Sequence, residues 1–178
     1  MIRWISLGLI VLVLTSCSTT RYRSLTRELI TNAEWGENDL KKLQFYVSDN
    51  IVLRRKVTDA KAKIVSGKIV SKDGAKYEEI IIRSGTPGTM LFSPDNERIA
   101  ISFEKNDSKS FLMFGSSEKR DGAFVLLATD WDKNGGTVTY GGKEYQTGAS
   151  SAYVTLLIQT ENEGSTEFKR RTAPGRTL

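Results

Sequence analysis

The sequence predicts a mainly β protein: an antiparallel β-sandwich or a small barrel of about nine strands, preceded by one or two short helices. From Ile51 onward, apolar and β-branched residues recur with a period near two, which is typical of half-buried strands. Turn-forming pairs such as Asp73-Gly74 and Gly141-Gly142 interrupt these runs at short intervals. Short strands with frequent tight turns favour a sandwich or a small barrel.

Two short helices are predicted before the strands. Apolar residues four positions apart predict the first helix over 25–33. From 39 to about 47, apolar residues fall at positions i, i+3 and i+7, and Asn38 or Asp39 is available as the N-cap. The apolar stripe of this second helix is interpreted as a packing surface. The polar residues 18–24 are interpreted as a tether.

The candidate strands follow closely along the chain. In order they are 51–55, 62–71, 76–83, 89–93, 98–104, 111–114, 123–129, 137–140, 143–147 and 151–160, with 166–169 as a candidate edge strand. The pairs Asp73-Gly74 and Gly141-Gly142 predict two antiparallel hairpins, because these residues tolerate the positive φ angles of tight turns. The unbroken apolar run Ile80–Ile82 predicts a strand that is covered on both faces.

The N-terminal segment has the order of parts that marks an export signal. Arg3 supplies a positive start, and a dozen uncharged residues from Ile5 to Ser16 lead to Cys17. This run is too short to cross a membrane as a helix, which needs roughly 20 residues. The segment resembles the type II signal peptide of bacterial lipoproteins, with Leu14 to Cys17 as its lipobox. The resemblance implies that the thiol of Cys17 is lipidated, that the preceding peptide is removed, and that Cys17 becomes the first residue of the mature chain.

This resemblance suggests a division of the chain into four parts. They are a signal peptide over 1–16, a lipidated tether with a short helix over 17–37, a β-rich domain over 38–170, and a flexible basic tail over 171–178. Because Cys17 is the chain's only cysteine, the domain has no internal disulfide. One domain of ordinary size is therefore expected.

The charge balance is moderately basic, with 26 Lys and Arg against 21 Asp and Glu. The basic residues cluster beside the expected anchor and in the tail: Arg21, Arg23, Arg27, Lys169, Arg170, Arg171 and Arg176. Those near the anchor are able to meet anionic head groups, at roughly 1 kcal/mol each. A solvated, flexible segment is the simpler interpretation of both clusters. Nucleic acid is not expected as a partner, because the aromatic residues do not alternate with basic ones.

The chain lacks the side chains that most catalytic sites use. It has no histidine, and its only thiol is the expected acylation site, so most zinc sites and Ser-His or Cys-His catalysis are excluded. Lys68 and Lys109 lie near serines, but such neighbours are expected by chance. Glu78 and Glu79 point to opposite faces of a strand and are interpreted as surface residues. The sequence predicts no enzyme and no cofactor.

One loop matches the opening of a calcium-binding motif. Asp130, Asp132 and Asn134 stand at alternate positions before Gly135, as in an EF-hand loop. The twelfth position is Gly141, where that motif requires a bidentate glutamate. A hairpin connection is therefore the favoured interpretation, and a calcium site is the weaker alternative.

Two tryptophans lie in polar surroundings rather than in predicted strands. Trp35 lies between Glu34 and Gly36, and Trp131 lies between two aspartates. Each is either a lid over the core or part of a binding surface. The lid is the favoured interpretation, and Trp131 is the better candidate for contact with a partner.

These features lead to an expectation by elimination. We expect an outer-membrane lipoprotein, because Ser18 follows the cysteine instead of an aspartate that retains many lipoproteins at the inner membrane. The absence of acidic residues directly after the cysteine favours a position facing the periplasm over the cell surface. Its β domain is expected to bind or scaffold another envelope protein, for example as an accessory subunit of an outer-membrane assembly. The alternatives are a β-barrel carrier of an apolar ligand or lipid, and a hydrolase acting on envelope glycans.

Overall fold

A computed structural model describes residues 21–57, 68–72, 75–105 and 107–160. Within these ranges the chain forms twelve strands and two short α-helices. In chain order they are β1 (Arg21–Ser24), α1 (Arg27–Asn32), α2 (Glu37–Leu40), β2 (Phe45–Val47), β3 (Ile51–Val57), β4 (Lys68–Lys72), β5 (Ala75–Ile82), β6 (Pro87–Asp95), β7 (Arg98–Ser102), β8 (Phe111–Ser117), β9 (Ala123–Leu126), β10 (Gly135–Tyr140), β11 (Lys143–Gly148) and β12 (Leu156–Thr160). Short 3₁₀ turns follow β8 and β11.

The strands form two antiparallel sheets. The first has seven strands in the order β1-β12-β2-β6-β7-β8-β9, and the second has five in the order β10-β11-β3-β5-β4. One apolar cluster draws side chains from both sheets; its largest fully buried members include Phe45, Phe114, Phe124, Ile51, Leu53, Ile101 and Leu156. The mainly β prediction is confirmed, and the two sheets fit a β-sandwich.

The structure corrects two predictions near the N-terminus. The second helix ends at Leu40 rather than continuing to 47, because Phe45 and Val47 alternate into the core as strand β2. Residues 21–24, predicted as part of a tether, form β1, which pairs with β12. The tether predicted over 18–24 is therefore too long, since the folded domain already includes residue 21.

Further along the chain, both predicted hairpins are present, but their details differ. Strands β4 and β5 pair antiparallel, as do β10 and β11, which turn through Gly141 and Gly142 at positive φ. Ile81 is 45% exposed, so β5 buries only one face at its centre instead of two. The predicted strand 151–160 starts only at Leu156, after a 3₁₀ turn. The candidate edge strand 166–169, the basic tail and residues 62–67 of the predicted strand 62–71 lie outside the described residues.

Candidate functional site

A surface cleft of about 480 Å³ lies between the two helices and the hairpin of β6 and β7. Its floor is apolar and its rim is charged. The apolar lining residues are Ile30, Trp35, Leu40, Pro94, Ile99 and Phe124, and the charged ones are Arg27, Glu34, Glu37 and Asp95. Leu40, Ile99 and Phe124 are also members of the core, so the base of the cleft is part of the sandwich interior.

Helix α1 is fixed at its start by the strands beneath it. Leu25 is fully buried; its N–H donates to the carbonyl of Leu156 at 2.8 Å, and its carbonyl accepts from the N–H of Phe124 at 3.0 Å. Thr26 then caps the helix, because its Oγ1 accepts a hydrogen bond from the N–H of Leu29 at 3.1 Å. The helix therefore begins at a defined place beside the cleft.

The end of α1 places Glu34 and Trp35 at the cleft. The N–H of Glu34 donates to the carbonyl of Thr31 and the N–H of Trp35 to that of Ile30, both at 3.1 Å, which is the hydrogen-bond pattern of a Schellman motif. This motif requires a left-handed residue, and Glu34 adopts it with φ 53° where glycine is the usual choice. Ile30 and Trp35 both pack against the core, so Trp35 is held half-buried in the cleft wall.

The opposite wall is the tip of the β6–β7 hairpin. The carboxylate of Asp95 accepts hydrogen bonds from Arg98 Nε at 2.8 Å and from the N–H of Glu97 at 2.9 Å. These bonds, with Arg98 first, hold the pKa of Asp95 below its usual value. Arg27 of α1 forms an ion pair with Glu97 across the gap. The hairpin tip is therefore ordered by its own charges and connected to the helix.

Most charges on the rim are paired. Glu37 forms an ion pair with Lys41 at 2.8 Å, and this bond lowers the pKa of Glu37. Glu34 is exposed, and its side chain makes no ion pair with another residue that the structure describes. The cleft thus combines an apolar floor with the carboxylates of Glu34, Glu37 and Asp95. This combination suits an apolar group beside a cation.

A second charged cluster lies on the five-stranded sheet, around the buried carboxylate of Glu78. Glu78 is only 1% exposed, and its Oε2 accepts from Arg55 Nε at 2.9 Å and from Arg55 Nη2 at 2.5 Å. Its Oε1 has no hydrogen-bond partner among the described residues, and Lys143 Nζ lies 3.9 Å from it. Burial, and then the charge of Glu78, raise the pKa of the neighbouring Tyr145.

Sequence reasoning interpreted Glu78 as a surface residue, and this was wrong. Glu78 and Glu79 do point to opposite faces, since Arg55 pairs with the first and Arg54 with the second. Arg55 falls on the same face of the adjacent strand as the apolar residues Ile51 and Leu53, and this spacing was the signal that could have identified the buried pair.

The two tryptophans lie in different places. Trp35 lines the cleft, whereas Trp131 is not among the lining residues. A Cβ atom added at Gly136 would lie 2.8 Å from Trp131 Cε3 and 2.9 Å from Ala128 Cβ. The Trp131 ring therefore lies directly against the backbone at the start of β10, and it also packs against the core.

The loop with the calcium-like spacing is closed by its own hydrogen bonds. Oδ1 of Asp132 accepts from the N–H groups of Asn134 at 2.7 Å and Gly135 at 3.0 Å, and these bonds lower the pKa of Asp132. Asp130 is exposed, with φ 54°. Within the described ranges, no group of three or more Asp, Glu, His or Cys residues is placed to hold a metal ion.

Cys17 lies outside the described residues, so the structure does not place the expected lipidation site. Within the described part of the chain, no helix has the length and apolar character needed to cross a membrane. Comparisons with protein-family models, with curated proteins and with solved structures yield no match to this chain.

Proposed function

We propose that this protein is a lipid-anchored lipoprotein of the bacterial envelope whose β domain is a non-catalytic binding or scaffolding module. Acylation of Cys17 would anchor it in the outer membrane, facing the periplasm. The observation that supports this proposal is the short separation between Cys17 and the folded domain. Strand β1 begins at Arg21, so only three residues separate it from the expected anchor.

This separation limits how far the domain can lie from the membrane. Four Cα–Cα steps span at most about 14 Å, whatever conformation they adopt. Arg21, Tyr22 and Arg23 are exposed on β1 and would lie nearest to the bilayer. Arginine suits phosphate head groups, and tyrosine is common at membrane interfaces. A domain held this close favours partners that are themselves at the membrane surface.

The cleft supplies the binding surface that such a module needs. Its arrangement, with an apolar centre and a polar rim, is the usual anatomy of a protein-binding site. A carrier of apolar ligands is less well supported, because buried side chains from both sheets fill the space between them. The proposed partner is therefore an envelope protein.

Membrane fractionation of cells that express the full chain tests the anchor. Wild-type protein should sediment with membranes and be released by detergent but not by salt, and mass spectrometry should find acyl groups on Cys17. The Cys17→Ser variant should be soluble, whereas the adjacent Ser18→Ala variant should remain with the membranes. Equal sedimentation of the Cys17→Ser variant would defeat the proposal. Pull-down from native membranes should recover a partner with the wild-type protein, and recovery of the protein alone with an apolar ligand would contradict the scaffold.

A further inference from the structure

We propose that the cleft between the helices and the β6–β7 hairpin binds a segment of a partner protein in which an apolar side chain stands beside lysine or arginine. Glu34 would pair with the basic residue, and Trp35 would contact the apolar one. This inference rests on the proposed function, because it specifies the partner of the binding module.

The pattern of charges identifies Glu34 as the group available to a partner. On the rim, Arg27 is paired with Glu97 and Glu37 with Lys41, while Asp95 is paired with Arg98. Glu34 makes no such pair with any residue in the described ranges, and it is exposed at the mouth of the cleft. The lining residues carry three carboxylates against one guanidinium, although the whole chain has a net charge of +5. Because the other two carboxylates are already paired, the carboxylate of Glu34 is the one that makes the mouth of the cleft complementary to a cation.

The backbone at Glu34 supports the same conclusion. Its φ of 53° is the left-handed conformation at the end of α1. A non-glycine residue there is disfavoured by roughly 1–2 kcal/mol, and glycine avoids this cost. A charged side chain therefore occupies a position where the fold favours glycine. Strained residues of this kind are concentrated at functional sites, and of the three non-glycine residues with positive φ in the described ranges, Glu34 is the one that lines the cleft.

The floor of the cleft favours a protein segment over an anionic lipid. Trp35 and Ile30 offer apolar surface beside Glu34. This arrangement suits lysine or arginine, because the ring contacts the aliphatic part of the side chain while the carboxylate pairs with its charged end. The volume of about 480 Å³ is within the usual range for binding pockets. A phosphate head group would meet the carboxylate of Glu34, which has no ion pair within the described ranges, and like charges repel.

Fluorescence anisotropy with a labelled synthetic peptide tests this inference on the detergent-purified full chain. The probe is a short glycine-flanked peptide with one phenylalanine followed by two arginines, and the control peptide has glutamates in place of the arginines. The basic peptide should bind with saturation, and the acidic peptide should not. Absence of saturable binding, or equal binding of both peptides, would overturn the inference.

Three variants separate a binding role of Glu34 from a structural one. Glu34→Gly should weaken peptide binding about fivefold, the worth of one exposed ion pair, and should raise Tm by about 2–4 °C because it relieves the strain. Glu34→Gln should weaken binding equally without raising Tm. Asp130→Gly is the matched control, because it removes a carboxylate at the similar φ of 54° outside the cleft. It should raise Tm and leave binding unchanged.

Unchanged affinity in both Glu34 variants would refute the role of this residue. The peptide assay does not depend on acylation, and the Cys17 fractionation does not depend on the cleft. Failure of the cleft proposal is therefore distinguishable from failure of the anchor proposal.

Discussion

The buried ion pair between Arg55 and Glu78 gives the sharpest test of how the five-stranded sheet is stabilised. Replacing Arg55 by methionine keeps a chain of similar length but leaves the carboxylate of Glu78 at 1% exposure without its two hydrogen bonds. Removing one partner of a buried pair costs about 3–5 kcal/mol. Because Lys143 Nζ remains 3.9 Å from Oε1, we expect the lower end of this range, about 3 kcal/mol.

Urea unfolding followed by circular dichroism measures this loss. With a slope of about 2 kcal/mol per M, a loss of about 3 kcal/mol lowers the midpoint by about 1.5 M. The matched control is Arg54→Met, which breaks a pair on the opposite face whose arginine is 63% exposed, and it should cost less than about 1 kcal/mol.

A double variant tests the cause of the loss. Arg55→Met with Glu78→Leu removes both charges and should recover stability to within about 1 kcal/mol of the wild type, since a buried pair is replaceable by apolar residues. The reasoning is refuted if Arg55→Met costs no more than Arg54→Met. It is also refuted if the double variant is as unstable as the single one.

Two further predictions concern the connection before β10 and the hairpin after it. Gly135→Ala should lower the free energy of unfolding, measured in urea, by about 3 kcal/mol or more, because φ is 148° and the added Cβ would lie 1.8 Å from the carbonyl oxygen of Thr147. The control is Gly142→Ala, which has open space around the added Cβ and should cost only about 1 kcal/mol. Equal losses in the two variants would contradict the steric argument. The lowered pKa of Asp132 means that its carboxylate stabilises the fold above the unfolded pKa of about 3.9 and that this contribution is lost as the pH falls through the folded value. Asp132→Asn should therefore reduce the loss of stability below about pH 4 in acid titrations of unfolding, and an unchanged acid limb would contradict this.

The predictions that succeeded were those that depend on local chemistry. Gly141 and Gly142 permit a tight turn whatever surrounds them, and the hairpin is present. The prediction that the second helix continues to 47 is wrong, because a short run of apolar residues can fit the spacing of a helix and that of a strand at once. Phe45 and Val47 are drawn into the core by β12 and β6, which are distant in sequence. Tertiary packing therefore favoured the strand period of two over the helix period of about 3.6 for these residues.

The parts of the structure that sequence reasoning missed depend on register and on distant neighbours. Glu78 is buried because β5 aligns it with Arg55, and strand register is not readable from one sequence. The cleft joins the end of α1 to the tip of a hairpin some 60 residues later. Trp35 was identified as a candidate from its polar surroundings. The importance of Glu34 became visible only with its backbone conformation.

The pairing of β1 with β12 has a consequence for the order in which the protein folds. Hydrogen bonding between Arg21 and Thr160 joins residues 139 positions apart, and β12 also separates β1 from β2 within the sheet. As the chain is synthesised from its N-terminus, β1 emerges first but cannot pair until β12, its neighbour in the sheet, has followed. Such long-range contacts slow folding. If Cys17 is acylated as proposed, the segment beside it stays accessible to the processing enzymes until β12 has been synthesised, and the sheet closes only after that.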